Sequence, residues 1–176
     1  RCQANLHSIG QAIQQYLNDY HGFYPPMALV PSMEVALHGP AARQSMRDVL
    51  AVFVGGEREV FHCPADRFIN PKEITGGELE GITGPVTPPA GVQSWFEWQG
   101  SSYQPVPALS LVDPVTGKWR LSQEMHGPLE ALTTVFGGYL AQIPIMYDYE
   151  DFHPTTGEPW GGKVLLYADF HVTSRK

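Results

Sequence analysis

Charged residues are scarce in this chain, 16% of 176, and the 18 acidic residues outnumber the 11 basic ones. The net charge of −7 argues against nucleic acid, whose binding is dominated by basic contacts to phosphate. No run of about 18 apolar residues exists, so no segment reads as a membrane-spanning helix. No leader-like segment is present within these residues, and any anchor of a longer parent chain is expected upstream of Arg1. Nucleotide-binding fingerprints are missing: Gly76-Gly77 and Gly137-Gly138 lack the strand-to-helix context that a phosphate loop needs. The Gly-x-Ser-x-Gly elbow of serine hydrolases is missing too. Gly100-Ser-Ser is followed by Tyr103 and Gln104, so Ser101 and Ser102 read as strand-edge hydroxyls. There is no His-Glu-x-x-His pair and no EF-hand pattern.

Cysteine is nearly absent. Cys2 and Cys63 cannot build a four-cysteine zinc site, and neither sits in a Cys-x-x-Cys pair. They are either two buried thiols or one disulfide. A bond between them closes a loop of about sixty residues, worth roughly 4 kcal/mol by chain entropy. It also requires an extracytoplasmic setting.

With 43% hydrophobic residues, the chain is large enough for one domain over 1–176 with its own core. The 18 Gly and 16 Pro predict long ordered loops. Leu6, Ile9, Ile13, Tyr16, Leu17 and Tyr20 recur at helical spacing. Gly22 can take a left-handed cap, and Pro25-Pro26 forbid continuation. This helix has a marked stop but no marked start, which leads us to expect a longer parent chain, cut inside it. A second helix is expected at Ala42–Val54 and an edge strand at Val60–Pro64. Residues 70–91 read as a loop. Further strands are expected at Ser94–Glu97, Ser101–Gln104, Ala108–Val112, Lys118–Leu121, Ile143–Tyr149 and Lys163–Ala168, the last two antiparallel. The class is therefore α+β, with the first helix laid by its apolar face on a mostly antiparallel sheet.

Two constellations could carry chemistry. Asp148, Glu150, Asp151 and His153 precede Asp169 and His171 at the ends of two strands expected to pair. Oxygens of Asp148, Glu150, Asp151 and Asp169 suit calcium. His153 and His171 with a carboxylate suit zinc, and with Asp169 they would serve a metal-dependent hydrolase. The bland alternative is solvated loop carboxylates with His153 bonded to backbone. The second constellation is Trp95, Trp98, Trp119 and Trp160. Exposed, they would stack on carbohydrate in a secreted binding module; more ordinarily they pack in a core.

The order of short motifs resembles a family of bacterial prepilin-type proteins named for a C-terminal His, spacer, Asp-Gly motif. The matching segments are Cys2 with Asn5-Leu-His-Ser-Ile-Gly10, then Gly22-Phe-Tyr-Pro-Pro26. Phe61-His-Cys-Pro-Ala-Asp66 and Ser101-Ser-Tyr103 come next. The last are Asp148, His153 and Val164-Leu-Leu-Tyr-Ala-Asp-Phe-His-Val172. The match spans essentially the whole chain. His153, Asp169 and His171 stand for the family motif, with a longer spacer and with Phe170 in place of Gly. If that Gly serves a positive φ, the turn here is expected to differ. The resemblance implies a pilin-like fold, with residues 1–22 as the C-terminal half of the long pilin helix, and a non-catalytic, pseudopilin-like subunit of a type II secretion or type IV pilus system. Its parent would be extracytoplasmic and anchored in the inner membrane by a segment upstream of Arg1. Its partners would be other filament subunits, met through the first helix. Calcium near Asp148–His153 is a further expectation, by analogy with major pseudopilins.

Overall fold

In a computed structural model of the chain, residues 1–28, 30–42, 44–68, 87–105, 138–150, 152–153 and 162–174 are described. Helix α1 (Cys2–Asp19) opens the chain. It buries Cys2, Asn5, Leu6, Ile9, Gly10, Ala12, Ile13, Tyr16 and Leu17, the face its periodicity predicts. Tyr20 does not belong to that face. It is 48% exposed, because the helix ends there, although its ring stacks on Tyr16 at 4.1 Å. His21 and Gly22 both take positive φ, and the Gly22 amide donates back to the Leu17 carbonyl.

Helix α2 (Pro31–His38) lies where the sequence pattern suggests none, although Pro31 in the first turn and Glu34 just after it mark a helix start. Ser45 caps α3 (Met46–Leu50), accepting from the Asp48 amide, and a 3₁₀ turn over Ala51–Val54 continues it. The helix expected at Ala42–Val54 is thus shorter at its start. The edge strand expected at Val60–Pro64 is instead a 3₁₀ turn over Arg58–Phe61 leading into extended His62. Ser94–Glu97 is not a strand either: α4 (Trp95–Gln99) begins there. Its Ser94 hydroxyl accepts from the Glu97 amide while the Glu97 carboxylate accepts from the Gln93 amide, a reciprocal cap that overrides the aromatic β-preference. Expected strands at Ala108–Val112 and Lys118–Leu121 lie outside the described residues.

Four strands form one antiparallel sheet in the order β1 (Tyr103–Pro105), β2 (Pro144–Asp148), β3 (Val164–Tyr167) and β4 (Val172–Ser174). The α+β class and the β2–β3 pairing agree with the sequence reading. A bulge between Pro144 and Met146 lets Ile145 and Met146 both enter the main core. Tyr147, Leu165 and Tyr167 form a separate cluster.

α1 packs on β3 and β4 and also on the 3₁₀ segments. Gly10 sits at the closest approach: a Cβ there would lie 3.0 Å from Leu166 Cδ1 and 3.7 Å from Phe170 Cδ1. Phe170 itself has φ +68°, in the β3–β4 turn where its amide donates to the Tyr167 carbonyl. The expectation of a differently shaped turn is therefore overturned as far as φ is concerned. The backbone takes the left-handed conformation with a bulky residue, at a cost of order 1 kcal/mol, and the ring packs against the main core.

Candidate functional site

The short motifs scattered along the sequence meet around one covalent bond. Cys2, in the first turn of α1, is disulfide-bonded to Cys63, with Cα atoms 5.1 Å apart. Of the two readings of the cysteines, the structure carries the disulfide. Around the bond the segments are tied by hydrogen bonds between residues far apart in sequence. Asn5 Nδ2 donates to the His62 carbonyl at 2.7 Å. The Tyr103 hydroxyl donates to the Cys2 carbonyl at 3.4 Å. The Cys63 amide donates to Ser102 Oγ at 2.8 Å, and that hydroxyl donates on to Asp66 Oδ2 at 2.7 Å. Ser102 also receives the Tyr149 amide on its carbonyl and gives its own amide to Phe61.

Asp66 is the second member of this frame. Its two carboxylate oxygens accept from the Trp95 and Phe96 amides, at 3.1 and 2.8 Å, and so complete the cap of α4. Burial raises its pKa, and the hydrogen bonds from Ser102, Phe96 and Trp95 oppose that rise. Ser102 is fully buried and bonded to an acid and an amide, and among the described residues no imidazole is its partner. Its hydroxyl is structural, and removing it would leave a buried amide unsatisfied at about 1–3 kcal/mol. Ser101 is buried too and accepts from the Tyr103 amide.

Asp148 ends β2 and is fully buried. Its Oδ2 accepts from the Val164 amide at 2.8 Å and lies 3.4 Å from His153 Nε2. Among the described residues, its Oδ1 is buried without a hydrogen-bond partner. Burial pushes the carboxyl up, against the lowering pull of His153 and the Val164 amide. His153 is half-buried, is held through its amide by the Gly162 carbonyl, and points Nε2 at Cys63 Sγ, 3.7 Å away. Lys163 Nζ donates to the Asp148 and Tyr149 carbonyls and so fixes the exit of β2.

No family model, curated protein or solved structure matches the chain. Any functional reading therefore rests on sequence and geometry. Of the candidate residues, Asp148 and His153 come together at the disulfide. Glu150 is half-buried just beyond β2, and Asp151 lies outside the described residues. Asp169 and His171 pair with each other on the exposed β3–β4 turn, where the His171 ring also stacks on Tyr167. Among the described residues, the group able to share one ion is Cys2, Cys63 and His153, with ligand atoms within 4.8 Å. The oxygen set expected for calcium is not gathered among them, and His153 does not join Asp169 and His171.

The tryptophans divide as well. Trp95 is buried, stacked on Tyr149 at 4.6 Å and on Trp98 at 5.4 Å, with Phe68 edge-on. Trp98 is half-buried, and Trp119 and Trp160 lie outside the described residues. Trp95 spends its ring on internal packing, which weakens the carbohydrate platform. The disulfide hub is visible in sequence only as separate motifs. Its partners are joined across 36 to 101 positions, and no local spacing encodes that.

Proposed function

We propose that this chain is the head of a pseudopilin-like subunit, a structural and assembly component of a type II secretion or type IV pilus-like system, non-catalytic and held outside the cytoplasm. The observation that carries the reading is the stapling of the first turn of α1. The disulfide, the Asn5–His62 bond and the Tyr103–Cys2 bond all tie that turn to the body. A helix that must transmit load from a filament core to a head needs this arrangement, since an amphipathic face alone can peel away.

The rest of α1 supports the same role. Its apolar face serves the head's own sheet. Its outer face, Gln3, Ala4, His7, Gln11, Gln14, Gln15 and Asn18, carries no Asp, Glu, Lys or Arg before Asp19 at the helix end. Such a face can pack against a neighbouring helix by hydrogen bonding without burying unpaired charge. The non-catalytic reading draws on Ser102, whose hydroxyl is committed to Asp66 and Cys63.

The parent gene tests the proposal. It should encode, immediately before Arg1, a basic leader and about twenty apolar residues continuing the helix. A start codon or a hydrophilic domain at that place overturns it.

A further inference from the structure

The geometry points to a second state of the hub: with the Cys2–Cys63 bond reduced, Cys2, Cys63 and His153 form a three-residue site for a zinc-class divalent ion, with the Asp148 carboxylate beside His153. This goes beyond the filament role and does not depend on it.

Three observations carry it. First, His153 already stands at the spacing of a tetrahedral shell from Cys63. Zinc bonds of about 2.0–2.3 Å place neighbouring ligand atoms about 3.3–3.8 Å apart. His153 Nε2 lies 3.7 Å from Cys63 Sγ and 3.4 Å from Asp148 Oδ2, and the Cys2, Cys63 and His153 donors all fall within 4.8 Å of one another. Second, Asp148 is fully buried, and among the described residues its Oδ1 has no hydrogen-bond partner. An unpaired buried carboxylate oxygen is costly, and a cation is the partner that would offset it. Third, outer contacts hold the donors in place: the Val164 amide on Asp148 Oδ2, the Ser102 hydroxyl on the Cys63 amide, and the Gly162 carbonyl on the His153 amide.

The two sulfurs must part from bonding distance to tetrahedral spacing, and Asp148, which lies outside the 4.8 Å group, must move in if it is to complete the shell. A disulfide sulfur is a poor ligand, whereas a thiolate is a good one. A dithiol reductant supplies two electrons, one to each sulfur as the S–S bond breaks, and is itself oxidised to a disulfide. Zinc then takes the two thiolates, and the two protons from the dithiol appear in solution.

The test uses the full chain reduced by a phosphine, with zinc titrated against a chromophoric chelator and cobalt as a spectroscopic substitute. The expected result is one ion per reduced chain, thiolate-to-cobalt charge-transfer absorption, and no comparable binding by the oxidised chain. His153→Ala should weaken binding by about a hundredfold or more, beyond what loss of an outer contact does, and Asp148→Ala by about tenfold. His171→Ala should leave it unchanged. If reduction unfolds the chain, zinc should restore its circular dichroism. Four results overturn the assignment: a folded reduced chain that takes no zinc, an unfolded one that zinc does not refold, equal affinity in the His153→Ala variant, or equal binding by the oxidised chain.

Discussion

Two Asp–His pairs lie at opposite extremes of this molecule. Asp148–His153 sits beside the disulfide, with the carboxylate fully buried and its neighbours drawn from α1, the Cys63 segment and β3. Asp169–His171 sits on the β3–β4 turn, two residues apart, with both side chains substantially exposed. The residue types are the same and both belong to the motif order read from sequence. What differs is sequence separation and solvent. The first pair is joined to remote segments, so disturbing it disturbs the fold. The second organises only its own turn.

The widest break of this comparison is removal of the disulfide. Replacing both Cys2 and Cys63 by Ala should destabilise the chain by about 4 kcal/mol, from the entropy of a loop of roughly sixty residues. Urea denaturation of the variant against the oxidised parent measures it. A loss under about 1 kcal/mol would mean that the hydrogen bonds of Asn5, Ser102 and Tyr103 hold the first turn of α1 without the covalent bond.

The next effect is a dependence on pH. The Asp148 carboxyl is raised in the folded state, chiefly by burial, so the folded chain holds a proton that the unfolded chain has already released. Stability from this group is complete below the unfolded value of about 3.9 and is lost as pH rises through the folded value. Asp148→Asn cannot ionise. The variant and the parent should therefore be closest in acid, and the variant should gain on the parent as pH rises toward neutrality. Paired denaturation curves across that range check it; a difference that stays flat, or that grows on acidification, is incompatible with the burial argument.

How much the sequence makes legible depends on the range of the cause. α1, β2 and β3 are local patterns, and Leu6 to Leu17 or Ile145 to Tyr147 announce themselves by period and β-preference. At α4 two local signals compete. Trp95 and Phe96 argue for a strand, but Ser94 with Glu97 caps a helix, and Asp66 adds two bonds from 29 and 30 positions away. β4 is only three residues long and too short to carry a pattern. The hub is less legible still. Cysteine count raises the disulfide as one of two readings, while the contact of Cys63 with His153 spans 90 positions and depends on the paired strands. Asp169 and His171 look in sequence like partners of that cluster because strand ends lie near each other in outline. The β3–β4 turn instead closes them onto one another.

The smallest effect gives the sharpest contrast, because its sign is reversed. At Asp169 burial is the largest single influence and would raise the pKa, but the hydrogen bonds from the His171 ring and amide and the His171 charge together outweigh it and hold the carboxyl below its usual range. Its stabilisation is therefore present above the unfolded value of about 3.9 and is lost as pH falls through the folded value. Asp169→Asn should cost less than about 1 kcal/mol near neutral pH, since an exposed pair is screened by water and salt. The cost should shrink on acidification and in high salt. The Asp148→Asn difference is also smallest in acid, but there the variant is the more stable protein near neutrality, whereas here it is the less stable one. Measured side by side, the two substitutions separate a carboxylate that the fold confines from one that the fold merely orients. Equal signs in the two series would dissolve that distinction and with it the division between hub and turn.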